Sequence, residues 1–104
     1  MSRVIARVWT GTAPAAKANE YQKHFDIEVM ERLKRSSGFH SAELWRRQIE
    51  GEVEFVAVTH WDSLHAVRSF TGEHYERAVV EPAARAVLLR WDERVIHYEV
   101  VTAT

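Results

Sequence analysis

Six histidines, three tyrosines and four tryptophans carry most of the side-chain chemistry open to this 104-residue chain. His60 closes the apolar run Phe55-Val56-Ala57-Val58-Thr59 and, by strand alternation, shares a face with Val56 and Val58. A neutral imidazole facing an apolar cleft can accept a phenolic proton, the step that makes an aromatic ring reactive toward O2. The plainer alternative is a strand-end histidine bonded to backbone or half exposed. His74 and Tyr75 follow a helix break and could orient a substrate oxygen; as residues of a surface helix they would simply be solvated. His97 and Glu99 stand two apart on an extended run and point the same way, as a carboxylate-oriented imidazole or as two metal ligands would. A third ligand at a recognisable spacing is absent, so no metal site is expected. Trp9 and Trp61 could line a wall for a planar ligand, although such residues are more often core. Arg46-Arg47 and Arg90 read as solvated surface. The chain has no phosphate loop, nucleotide fingerprint, serine elbow or metalloprotease helix.

The elements that must hold these residues follow from periodicity. Arg3–Gly11 alternates as a strand, with Val4, Ala6 and Val8 opposite Ile5, Arg7 and Trp9. Gly11 and Thr12 should end it, and Pro14 suits a first helical turn. Ala18, Tyr21, Phe25, Val29 and Leu33 give a helical stripe within Pro14–Arg35, closed by Gly38. Phe39–Ile49 and Val53–Trp61 read as strands joined at Glu50-Gly51. Asp62 or Ser63 caps a second helical region, Ser63–Val80, interrupted at Thr71-Gly72 and ended or kinked by Pro82. Ala83–Leu89 is ambiguous between a short helix and an arm, and Arg94–Val101 is a last strand.

The order is β-α-β-β-α-β, which predicts an α+β, ferredoxin-like antiparallel sheet with both helices on one face. The third strand is apolar on both faces, so the face without helices needs a second cover. In a chain this small the simplest cover is a second copy, a homodimer through the sheet face with Ile5, Trp9, Trp45 and Phe55 in the layer between sheets. His97, Glu99 and Arg7 would then sit in that layer as a polar group, joined across the dimer. A length of 104 residues is one domain, 1–104. No run of eighteen apolar residues and no charged-then-apolar leader is present, so neither a membrane span nor a secretory signal is expected. A cytoplasmic setting is the default. The net charge of -1 speaks against nucleic acid as a partner.

Several segments together resemble the antibiotic biosynthesis monooxygenase domain. They are Ile5-Ala6-Arg7-Val8-Trp9-Thr10-Gly11, Phe55 through Leu64, the Phe70-Thr71-Gly72-Glu73 step and the closing His97-Tyr98-Glu99-Val100. The resemblance spans essentially the whole chain and implies the dimeric α+β barrel fold, with ligands held between sheet and helices. It implies a cofactor-independent monooxygenase acting on a small phenol- or quinol-type aromatic, with O2 as the only co-substrate. In that reading His60 is the base, Tyr75 or His74 orients the oxygen, and Trp9, Trp61, Phe70 and His97 contact substrate. The alternative is a non-catalytic dimer binding a small apolar molecule or haem. The haem-degrading branch uses an Asn, a Trp and a His. At the matching places this chain has Val8 or Trp9, Phe70 and Val80, so that triad is not reproduced, with His74 near the last but out of register.

Overall fold

The computed structural model describes residues 4–104; Arg3, the expected start of the first strand, lies outside them. Strand β1 (Ile5–Pro14) runs between β3 (Glu52–Trp61) on one side and β4 (Arg90–Trp91) with β5 (Ile96–Glu99) on the other. Strand β2 (Phe39–Ile49) forms the far edge beyond β3, and every pairing is antiparallel. The helices pack on one face, as expected.

Strand β1 does not stop at Gly11. It continues to Pro14 because Gly11 serves close packing rather than a turn. The Trp9 indole lies directly over it, where any Cβ would collide with the ring. Pro14 is accordingly extended (φ −59°, ψ 145°) and precedes, rather than enters, a 3-10 turn at Ala15–Lys17.

The first helical region is continuous in path but not in winding. Helix α1 (Ala18–His24) passes into a π turn at Phe25–Val29 and then into α2 (Met30–Lys34). The stripe explains this. Steps of four residues from Tyr21 to Phe25, Val29 and Leu33 would each precess by about 40° on a helix of 3.6 residues per turn. A wider turn removes that drift and keeps Tyr21, Phe25 and Leu33 buried against the sheet.

The β2–β3 hairpin turns at Glu50-Gly51, both with positive φ (38° and 80°), as a two-residue turn requires. Ser63 caps α3 (Leu64–Thr71) by accepting from the Ala66 N–H at 3.2 Å, and Gly72 (φ 94°) ends it. The expected helix to Val80 is not there. Residues 72–81 form an irregular stretch pinned to the other end of the chain: Ala78 N–H donates to Glu93, and Val95 N–H to Glu76. Pro82 begins a short helix, α4 (Pro82–Arg85), where its missing N–H costs nothing, rather than ending one. The same cross-links hold residues 93–95 away from β1, so the expected last strand shortens to β5, and β4 is a separate short strand before it.

Two buried clusters fill the space between sheet and helices. One gathers Tyr21, Phe25, Phe55, Ala57, Val87 and Leu88; the other gathers Ile5, Leu33, Trp61, Ala66 and Val67. Ile5, Trp9 and Phe55 therefore face the helices, not a layer between sheets. Their register partners Trp61, Ala57 and Gly11 lie on that inner face as well. Ala6, Val8, Val56, Val58 and His60 lie on the outer one. The expected assignment of strand faces is thus reversed, except for Trp45, which is on the outer face at 52% exposure. A register shift between Phe39 and Ser41 returns Phe39 to the inner face, where its ring meets Trp61 edge-on at 5.5 Å.

Candidate functional site

Between sheet and helices lies a cleft with a cavity volume of ≈ 100 Å³. Arg7, Trp9, Ala57 and Thr59 form its floor; Tyr21, His24, Phe25, Val29, Arg32 and Leu33 form its roof. Phe70, Val79, Val80, Glu81, Ala84 and Val95 close the side. A cavity of about 150 Å³ accepts benzene, so a bicyclic guest requires the walls to part. The side wall takes Val79, Val80 and Glu81 from the irregular stretch after Gly72, which is tied to residues 93–95 through Glu76 and Ala78 but runs free of the sheet beyond them.

The few polar groups in this lining are well defined. Arg7, 8% exposed, stands on the floor. Its Nη1 donates to the Tyr75 carbonyl at 2.6 Å and to His97 Nε2 at 3.0 Å, and its Nη2 to the Arg77 carbonyl at 3.4 Å. Among the described residues no carboxylate lies within ion-pair distance of it. Burial brings the guanidinium down to about 10, which leaves it charged at neutral pH. His97 is held at about 4 by burial first and the Arg7 charge second, with Glu76 pulling the other way. His97 is therefore neutral and accepts from Arg7.

The roof carries His24, whose side chain is 9% exposed and whose Nδ1 meets a Glu28 carboxylate oxygen at 2.8 Å. Glu28 lies within the π turn that follows His24, and its carboxylate fixes the ring so that Nε2 is the remaining nitrogen. Arg32 is ion-paired to Glu81 and stacks over the Phe70 ring at 5.4 Å, tying roof to side wall. His24, Glu28 and Glu81 bring three potential metal donors within 4.8 Å of one another. Arg32 already neutralises Glu81, and Glu28 is largely exposed, so an ion-pair network describes them without a metal. Burial also raises the Tyr21 hydroxyl well above the ordinary phenolic range.

The expected site residues separate. Trp9 and Phe70 line the cleft. Trp61 is fully buried beneath α3, donating to Thr59 Oγ1 at 2.8 Å, and does not. His60 is on the outer face, beside Ser41 Oγ at 3.4 Å, because the face assignment that put it in the cleft is reversed. His74 lies exposed in the turn after α3. Tyr75 backs the Arg7–His97 pair: its ring meets His97 edge-on at 5.2 Å, under the Arg68 guanidinium at 4.9 Å. The anticipated association of Arg7 with His97 exists, but within one chain and on the helix side. Sequence reasoning misses His24 and Glu28; their i, i+4 spacing beside the stripe residue Phe25 is the available signal.

No protein-family model matches the chain, and no curated protein does. Solved structures do, over nearly their whole length. A candidate antibiotic biosynthesis monooxygenase from Caulobacter crescentus superposes with a TM-score of 0.73 at 20% identity, covering 97% of this chain and 92% of that one. SnoaB, a cofactor-independent oxygenase from Streptomyces nogalater, gives 0.72 at 18% identity over 98% and 97%. The chain has the fold of the antibiotic biosynthesis monooxygenases. The haem-degrading protein of Mycobacterium tuberculosis shares it as well, with a TM-score of 0.70, 20% identity and coverage of 100% and 98%. Among the described residues no helix is long and apolar enough to cross a membrane.

Proposed function

We propose that the chain is a cofactor-independent monooxygenase that oxidises a small phenol- or quinol-type aromatic with O2. The observation that carries this reading is an apolar cleft into whose roof an imidazole is held by a carboxylate, the arrangement that a proton acceptor needs. His24 takes the role that the sequence alone suggests for His60. It accepts the proton from the substrate, Glu28 steadies the resulting imidazolium, and the deprotonated ring supplies the electrons that reduce O2. One oxygen atom stays on the substrate carbon; the other leaves as water with the one hydrogen that carbon loses and the phenolic proton, which His24 gives back. Trp9 and Phe70 stack on the substrate, and the Arg32–Glu81 pair closes the mouth. The fold shared with SnoaB supports the reaction class. A cytoplasmic setting belongs to the same reading.

The outer sheet face is proposed as the homodimer surface. It presents Trp45, Ile96 and Tyr98, each more than half exposed, around Val8, Val56 and Val58.

The alternative, a binder of haem or another small molecule, draws on the same cleft. Trp9, Phe70 and Val80, at the places the haem-degrading pattern fills with Asn, Trp and His, all line it. They are apolar, so the residues do not fit that haem chemistry. A thermal-shift screen of quinols, anthrone-like phenols and haemin, with oxygen uptake followed on each hit in metal-free buffer, separates the readings. A phenolic hit that consumes oxygen is the expected result. Stabilisation by haemin with a Soret band, or by any ligand without oxygen uptake, would overturn the enzymatic reading in favour of the binder.

A further inference from the structure

The cleft floor contains a buried positive charge that has no carboxylate within ion-pair distance among the described residues. Two backbone carbonyls and the neutral His97 satisfy three of the five N–H groups of Arg7. They satisfy hydrogen bonds but leave the charge itself uncompensated, an arrangement that is costly in an apolar surrounding. The Nε–H and one Nη2–H have no acceptor among the described residues. Among the described residues no buried side-chain nitrogen or oxygen lacks a partner, so the unbonded donors of Arg7 touch accessible space, and Arg7 is one of the residues that line the cavity. A guanidinium edge with two adjacent donors matches a carboxylate or the oxygen of a phenolate.

A purely structural role for Arg7 would be to tie β1 to residues 75–77. That role uses Nη1 and one N–H of Nη2, and it does not require the remaining donors to border a ligand-sized space. Nor does it require a full positive charge on the inner face, where a neutral donor would serve at a lower desolvation cost.

We infer that Arg7 is the specificity-determining residue of the cleft and selects an aromatic ligand bearing an anionic oxygen group, carboxylate or phenolate, received on its Nε and Nη2 edge. This rests on the cleft being the ligand site, the first element of the proposed function, but not on oxygen chemistry. The ring then lies along the apolar walls beside Trp9 and Phe70, with the anion at the floor.

The test compares the binding of 2-naphthoate, 2-naphthol and the neutral isostere 2-naphthamide to the intact protein by calorimetry. The wild type should bind 2-naphthoate at least tenfold more tightly than 2-naphthamide. 2-Naphthol should approach that affinity only at pH values where it is ionised if phenolate is the true partner, and stay weak throughout if carboxylate is. Arg7→Met should erase the preference while leaving 2-naphthamide binding intact, and Arg7→Lys should keep part of it. If Arg7→Met does not fold, the wild-type preference and Arg7→Lys decide the question. Equal binding of acid and amide, or a preference that survives Arg7→Met, would overturn the inference while leaving the oxygenase reading standing. Failure of all three probes to bind would overturn the inference together with the placement of the ligand in this cleft.

Discussion

The two faces of the sheet are built from similar residues and serve different ends. The inner face sets Ile5, Trp9, Phe55, Ala57 and Trp61 against the helices, and it also hides Arg7 and Thr59. The outer face sets Val8, Val56 and Val58 beside Trp45, Ile96 and Tyr98, with His60 toward one end. Counting apolar residues does not tell them apart. What separates them is how polar groups are treated. Arg7, on the inner face, is held by several protein partners, whereas outer side chains such as His60 and Glu43 keep solvent or a single neighbour. A buried, multiply bonded polar group thus marks the face that carries the candidate cleft better than hydrophobicity does.

The comparison breaks most visibly at its largest inner side chain. Trp61→Ala should cost about 3–5 kcal/mol of stability, as for other fully buried aromatic truncations, and denaturant unfolding measures it. On the outer face Trp45→Ala should leave unfolding of the protomer nearly unchanged. It should weaken self-association by about 2 kcal/mol, roughly thirtyfold, if Trp45 is a central anchor of the proposed dimer. Sedimentation equilibrium reads that shift, and a chain that is monomeric at all concentrations would remove the outer face as an interface.

Gly11→Ala sharpens the boundary between sheet and cleft. A methyl group there displaces the Trp9 indole, which should cost about 1–3 kcal/mol and change Trp9 fluorescence as its Nε1–H bond to the Asp92 carbonyl is lost. The smallest effect is the response to pH. His97 is held at about 4, below its ordinary 6.5, so the unfolded chain binds the proton more readily than the folded one. The stability this contributes is whole above about pH 6.5 and is lost as the pH falls toward 4. Because the ring is partly exposed, the loss should be on the order of 1 kcal/mol. Melting temperatures between pH 7 and 4.5 should show it, and His97→Gln should flatten that part of the profile.

Much of the fold is legible in the sequence because it rests on local signals. The alternation of β1, the hairpin glycine, the Ser63 cap and the stripe from Ala18 to Leu33 each follow from short-range chemistry. The antiparallel sheet and the gathering of the helices on one side of it follow from the order of elements alone. The identity of each strand's faces is not legible, because Val56-Ala57-Val58 reads equally well from either side and only the helix contacts break the tie. The site is obscured for the same reason: His60 moves with its face. Residues 72–81 read as helix because nothing local reports that Glu76 and Ala78 pair with Val95 and Glu93. His24 and Glu28 are hidden in what looks like the solvated flank of a regular helix, and nothing local signals the π turn at Phe25–Val29 beside them.

The central claim is that oxidation, driven by the His24–Glu28 pair without a cofactor, takes place on the inner face. The most direct measurement is oxygen consumption with 1,8-dihydroxyanthrone in metal-free buffer, for the wild type, His24→Gln and His60→Gln side by side. Turnover is expected from the wild type and from His60→Gln, with at least a hundredfold loss in His24→Gln and its melting temperature preserved. Full activity in His24→Gln, or loss in His60→Gln instead, would contradict it.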